Sequence, residues 1–298
     1  MITVKAPGSC GELVQGTING ENFLVTCPVN LYSKVSVIKT AQQSKESCGI
    51  KVQQAIEKTL HYLNISDLYY DLSVKTELPI GKGMASSSAD ISAACQAVAH
   101  SIGKFLTPAE IADIALTIEP TDAIFYPGIV MFDHISGHIR RSLGAPPDMY
   151  IAVFDVGGEV DTLDFNRRDD LETLNKAKES QISLALNMII KGLKTGNASL
   201  IGKGATISAL ANQTILPKPN LEGMIELSQQ FGSVGVNIAH SGTVVGLLFD
   251  TYDNSQIFSC RSAICKTYSN ATYLYTVKLI SGGLHKQEGD THNWIECF

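Results

Sequence analysis

Residues 78–100 read LPIGKGMASSSADISAACQAVAH, and the rest of the chain takes its meaning from them. Pro79 opens the stretch, Gly81 and Gly83 flank Lys82, and the hydroxyls of Ser86, Ser87 and Ser88 follow in a row. Beyond Asp90, the residues Ile91, Ala94, Cys95, Val98 and Ala99 recur at helical spacing, so the string predicts a loop feeding a buried helix. Glycines let the main chain come close to an anion, small hydroxyls supply donors, and the first-turn N–H groups at the positive end of the dipole hold negative charge. A nucleotide triphosphate fits that end. The same letters also describe a serine cap on an ordinary buried helix, so the choice depends on what stands elsewhere.

Toward the N-terminus, 70–76 alternates as a strand that runs straight into the loop, and Val52, Ala55, Ile56, Leu60 and Leu63 mark one face of a helix over 52–63. Segment 42–49 is polar and loop-like, and 31–38 and 23–27 read as strands. A short strand at 2–5 is broken by a loop over 6–12, Ala-Pro-Gly-Ser-Cys-Gly-Glu. In the other direction Thr107 caps a helix that starts at Pro108, carries Glu110 in its first turn and ends at Pro120. Glu119 and Asp122 place two carboxylates at the end of that helix where its dipole disfavours them. A cation relieves the conflict. Magnesium is the functional answer, since it prefers oxygen ligands and commonly combines one or two carboxylates with substrate phosphates; a solvated pair of acids is the other.

Residues 131–143 return as strands, and Ala145-Pro146-Pro147-Asp148 is the best boundary, dividing the chain into 1–147 and 148–298. The second half reads as helices over 184–193, 200–210, 221–231 and 257–267, with Gly196 punctuating the first two. Strands at 234–238 and 244–249 flank the small-residue turn His240-Ser241-Gly242-Thr243, and a last strand covers 273–280.

A chain of 298 residues with 44% apolar and 17% charged side chains suits two globular domains. The net charge of −6 argues against nucleic acid as a partner, because neutralising phosphates takes a basic face. No basic-then-apolar leader and no apolar run of about 18 residues are found, so the expectation is a cytoplasmic protein without a membrane partner. Seven scattered cysteines, Cys48 among them, form no C-x-x-C pair and read as reduced thiols. The histidines form no H-E-x-x-H pattern.

Pro79 to Ser87 follows Pro-x-x-x-Gly-(Leu/Met)-(Gly/Ala)-Ser-Ser and resembles the second motif of the GHMP kinases, the superfamily of galactokinase, homoserine kinase and the mevalonate kinases. The glycine count and lysine position do not fit a Walker loop. Pro7 to Glu12 stands in the place of the superfamily's first motif and Asn237 to Gly246 in that of its third. Within the superfamily, APGSCGELVQG, GKGMASSSAD, IEPTD, LPKP at 216–219 and NIAHSGTVVGL are most similar to the branch acting on free L-threonine in cobalamin and propanediol metabolism. That resemblance spans nearly the whole chain.

The resemblance implies an α+β, two-domain GHMP kinase fold, with a ribosomal S5 domain 2-like N-terminal domain and a ferredoxin-like C-terminal one. It implies ATP and Mg2+ as cofactors and L-threonine as acceptor, the product O-phospho-L-threonine supplying the aminopropanol arm of cobalamin. Pro79, Gly81, Lys82, Gly83, Met84, Ala85, Ser86, Ser87 and Ser88 then wrap the triphosphate, and Ser87 and Glu119 hold the metal. Ala85 stands where most members carry glycine. Asp122 is the base, or orients the acceptor as in relatives that work without one. Glu12 is the expected anchor for the ammonium group, with Ser9, His240, Ser241 and Gly242 around the acceptor. No arginine stands out for the carboxylate; Arg140, Arg141, Arg167 and Arg168 qualify by charge alone. Homoserine, serine or another small alcohol, a non-catalytic binding protein on the same fold, and a homodimer all stay open.

Overall fold

Two long antiparallel strands form the spine of the computed structural model, β1 (Ile2–Ile18) and β2 (Glu21–Thr40). The model describes residues 1–42, 49–66, 68–157, 169–288 and 293–298. Asn19 and Gly20 join the two strands, both at positive φ (52° and 79°), which is the turn chemistry whose twist matches that of a hairpin. The 6–12 segment, expected as a loop, is strand. Its register against β2 slips after Pro7, between Ser9 and Glu12, and between Glu12 and Val14. Proline and glycine here bend the strand through bulges instead of ending it.

The bends let each spine strand serve two neighbours along one edge. β2 pairs with β3 (Tyr69–Thr76) over its second half and with β4 (Ile129–Phe132) at Leu24 and Val25. β1 pairs with β10 (His285–Gln287) at Val4 and Lys5, and with β7 (Gly235–Ile238) where Glu12 faces Ile238. With β5 (Arg140–Gly144), β6 (Tyr150–Asp155), β8 (Val244–Phe249) and β9 (Thr272–Lys278), the antiparallel order is β5-β4-β2-β1-β7-β8-β6-β9. β11 (Trp294–Glu296) extends β10.

Helices α1 (Ile50–Tyr62), α2 (Ser86–Ser101) and α3 (Pro108–Leu116) cover the first half. Ala89, Ala93, Ala94, Ala97 and Ala99 are fully buried, and side chains this small let α2 lie close against β1 and β2. α3 starts with the expected capping box between Thr107 and Glu110. It stops at Leu116, so Glu119 stands in the connection beyond the helix.

In the second half the period-2 alternation of the strands separates two faces. Ile151, Val153 and Leu248 pack with Ile182, Ile189 and Ile201, from α4 (Leu171–Thr195) and α5 (Ala198–Ala211). Phe154 and Leu247 pack with Met224, Ile257 and Ile264, from α6 (Leu221–Gln229) and α7 (Asn254–Thr267). α4 begins well before the predicted 184. Gly196 caps it in the left-handed conformation at φ 65°, as C-terminal glycines do.

The Ala145–Asp148 link does separate β5 from β6. The halves are nevertheless interleaved at the C-terminal end, because Leu284 and Cys297 pack in the first half's core and β10 pairs with β1. A single cut at 147 therefore does not describe the fold. Cys10, Cys27, Cys95, Cys260, Cys265 and Cys297 are free thiols, and Cys48 lies outside the described residues. No helix among the described residues is long and apolar enough to cross a membrane.

Candidate active site

The loop between β3 and α2 is held by its main chain from both sides. Ser9 and Gly11, in the bulged part of β1, donate N–H bonds to the carbonyls of Met84 (3.1 Å) and Gly83 (3.2 Å). From the β7–β8 turn, Thr243 and Val244 donate to the Lys82 carbonyl at 3.0 and 3.1 Å. The three sequence motifs thus meet backbone to backbone, with no room for a side chain. A Cβ on Gly83 stands 2.3 Å from that of Ala239, and one on Gly242 stands 2.4 Å from the Gly83 Cα.

Ala85 ends the loop at φ 57°, in the left-handed region, as the N-cap of α2. No side chain caps the helix, so the N–H groups of its first turn are left to a ligand. They open on a cavity of about 330 Å³ whose wall includes Gly81, Gly83, Met84, Ala85, Ser86, Ser87 and Ser88. Thr121, Asp122, His134, His240 and Ser241 line it further in.

Glu119 is almost fully buried on the same wall. The Ser87 hydroxyl donates to one of its carboxylate oxygens. The Lys51 ammonium pairs with the other at 2.5 Å, supplying the cation that the acidic end of 108–120 demanded. Behind it Asp122 has its N–H held by the Ser88 hydroxyl at 3.0 Å; burial, and then the nearby Glu119, push its carboxyl up to about 6. Deeper still, the Glu12 carboxylate accepts the His240 N–H at 2.6 Å. Burial and then Asp122 lift Glu12 well above the carboxylate range, against the pull of that hydrogen bond and of Lys218.

Lys218, itself buried, donates to the Gly242 carbonyl at 2.5 Å and so ties the third motif to the acidic row. Burial lowers it to about 8. The His240 ring sits edge-on to that of His134, 4.8 Å between centroids. Burial first, then His134, Lys178 and Lys218, hold His240 well below its ordinary value, so it is neutral at physiological pH. The donor set suits the groups the loop implies: hydroxyl and carboxylate oxygens for magnesium, uncapped N–H groups for phosphate.

Several residues singled out by sequence stand elsewhere. Ser9 does not face the cavity; its hydroxyl donates to the Gly11 carbonyl at 2.7 Å and accepts from the Cys27 N–H at 3.3 Å. The Lys82 ammonium pairs with Asp155 at 2.9 Å, and what the loop uses of this residue is its carbonyl. Pro79 and Gly242 shape the loop and turn from outside the wall, and Glu12 lies behind it. Arg140 is spent on Asp113 and on the carbonyls of Ala109 and Gly137, and Arg141 is exposed on β5. Arg167 and Arg168 lie outside the described residues. Lys51, Thr121, His134 and Lys218 are in the site without having been read from sequence. Of these, Thr121 and Lys218 had a signal, their places in IEPTD and LPKP.

Comparison with known proteins agrees with this arrangement. Residues 50–126 match the family model "GHMP kinases N terminal domain" and residues 189–268 match "GHMP kinases C terminal". The chain is 34% identical over 249 residues to the L-threonine kinase of Salmonella typhimurium, covering 83% of this chain and 82% of that protein. To the L-threonine kinase of Citrobacter freundii it is 34% identical over 253 residues, or 84% and 87% of the two chains. Among solved structures, the homoserine kinase from Cytophaga hutchinsonii superposes with a TM-score of 0.72 at 17% identity, over 96% of this chain and 97% of that one. The structure of MDDEF in complex with MVAPP, AMPPCP and magnesium gives 0.68 at 14% identity, over 97% and 99%. These last two likenesses are of fold.

Proposed function

Since the chain belongs to the GHMP kinase family, we propose that it transfers the terminal phosphate of ATP to the side-chain hydroxyl of free L-threonine, giving ADP and O-phospho-L-threonine. The observation that carries the chemistry is the contact of Ser87 with Glu119, on the cavity wall that also holds the uncapped start of α2. Threonine as the acceptor is supported by the relatives of that name, aligned along more than four-fifths of the chain.

Phosphoryl transfer asks the protein chiefly for positioning and charge stabilisation. The first-turn N–H groups and hydroxyls of Ser86, Ser87 and Ser88 receive the phosphates, and Lys51 adds positive charge at the rim beside Glu119. Ser87 and Glu119 would hold magnesium, which supplies neutralisation of the charge shared between the phosphates. The acceptor oxygen forms its bond to the terminal phosphorus as the bond to the bridging oxygen breaks. Asp122 takes the hydroxyl proton. Its raised affinity for protons makes it a stronger base than an ordinary carboxylate while leaving it mostly ionised at neutral pH.

The test is ADP release with L-threonine, L-serine and L-homoserine, each with and without magnesium. Magnesium-dependent turnover highest with threonine is expected; a serine background is tolerable, since one methyl discriminates by only about 1–3 kcal/mol. Higher kcat/KM for homoserine removes the threonine assignment. Ligand binding with no turnover of any of the three removes the enzyme.

A further inference from the structure

A second cavity, of about 280 Å³, adjoins the first and shares His134 and His240 with it. Thr17, Asn22 and Asn175 give it polar walls. At its inner end stands Lys178, on the stripe of α4 that otherwise buries Ile182, Ala185, Leu186 and Ile189. The side chain is 5% exposed, and its ammonium donates to the Asn212 Oδ1 at 2.7 Å. No carboxylate among the described residues pairs with it. Asn212 is 1% exposed, and its Nδ2 finds no acceptor among the described residues.

A buried lysine whose partner is a neutral amide, next to an amide N–H with nothing to bind, is an arrangement that an isolated protein disfavours. Burial alone lowers Lys178 to about 8, which still leaves it charged at neutral pH. The arrangement becomes favourable once an anion takes both donors. On the other side of His240, Asp122 lines the first cavity and Glu12 lies behind its wall, bonded to the His240 N–H. Asp122 on the wall near the phosphate loop and a buried cation beyond His240 match an acceptor that carries a hydroxyl and a carboxylate; Glu172, exposed, also lines the second cavity.

We infer that Lys178 and Asn212 clamp the carboxylate of the acceptor amino acid. The inference rests on the kinase reading above and adds the acceptor's orientation: hydroxyl toward Asp122, carboxylate between Lys178 Nζ and Asn212 Nδ2. Asn212 holds the lysine through its oxygen and the substrate through its nitrogen, so the two donors act as one unit.

The test compares L-threonine with (R)-1-amino-2-propanol, which is L-threonine without its carboxylate, in the wild type, Lys178→Met, Lys178→Arg and Asn212→Ala. A charged hydrogen-bonded contact corresponds to about 10–100-fold, so wild-type kcat/KM should favour threonine by that factor or more. Lys178→Met should raise the KM for threonine by about the same factor while that for ATP stays put, and should bring the two acceptors to similar kcat/KM. Lys178→Arg should restore part of the preference, and Asn212→Ala should raise the threonine KM by about tenfold. An unchanged threonine KM in Lys178→Met, or an equal loss with both acceptors, overturns the clamp. Equal use of both acceptors by the wild type overturns it with no variant at all. If Lys178→Met does not fold, Lys178→Arg and Asn212→Ala decide, and threonine KM values unmoved in both count against the proposal. Absence of threonine turnover in the wild type is a different failure, that of the kinase reading itself.

Discussion

The two cavities that meet at His134 and His240 are built from different materials. The first has its phosphate end made of main chain: a loop bonded by its carbonyls to β1 and to the β7–β8 turn, and a helix start left uncapped. The second is lined largely by side chains, among them those of Thr17, Asn175, Lys178 and Asn212. Phosphates look alike from one nucleotide-dependent enzyme to the next, and a backbone cradle serves them all. Acceptors differ, and a pocket of side chains can be changed one residue at a time without moving the cradle.

This contrast breaks or sharpens at named positions. The largest effect is expected in the first cavity, where Asp122→Asn should cut kcat by about 10²–10⁴-fold and leave ATP affinity as it was; an unaltered rate removes Asp122 from proton transfer. The same variant should stabilise the ligand-free protein. With its folded value raised to about 6, the wild-type carboxyl favours folding below about pH 4, and that contribution disappears as pH rises through about 6. Asn lacks this dependence, so a gain of about 2 kcal/mol, or roughly 4–8 °C in Tm, is expected at pH 7 and none at pH 4. Equal melting of the two proteins at both pH values contradicts the assignment.

Next comes the backbone cradle. Gly83→Ala pushes a methyl into Ala239 at a φ of 84° and should cost about 2–3 kcal/mol in denaturant titration while weakening ATP binding. Normal melting and normal ATP affinity show that the cradle tolerates side chains and that the contrast is misdrawn. Glu119→Gln should raise the magnesium needed for half-maximal activity by about tenfold, whereas a superimposable magnesium titration removes Glu119 from the metal's shell. Smallest is Ala85→Gly. It relieves a left-handed residue of roughly 1 kcal/mol of strain, so Tm should rise by roughly 2–4 °C with the KM for ATP unmoved.

The same contrast explains what a reader of the sequence can see. The first cavity is legible because its parts are contiguous strings: Gly83 to Ser88, and the capping box of Thr107 and Glu110 that sets up α3 ahead of Glu119. The acid pair even announced its missing cation, and Lys51 fills that role from a helix whose predicted face began one residue later. The 6–12 segment misled because proline and glycine signal a break, whereas a two-stranded partner can absorb them as bulges. The Asn19-Gly20 pair is itself a hairpin signal. The start of α4 is hard to see in the sequence because its first turns are polar except at every third or fourth residue, and one residue on that stripe is Lys178 itself. A lysine on an apolar stripe is the signal that could have found the second cavity; Asn212 offered none.

One feature of the spine bears on how such a chain is made. Lys5 lies opposite His285, and Trp294 stacks over the ammonium groups of Lys5 and Lys34. During translation the outer edge of the first strand therefore waits, open to mispairing, until the segment that covers it has left the ribosome. Such late pairing slows folding, because a long loop must close before its contacts form. Fragments that end before β10 should accordingly aggregate even though every residue of the phosphate cradle is already present in them.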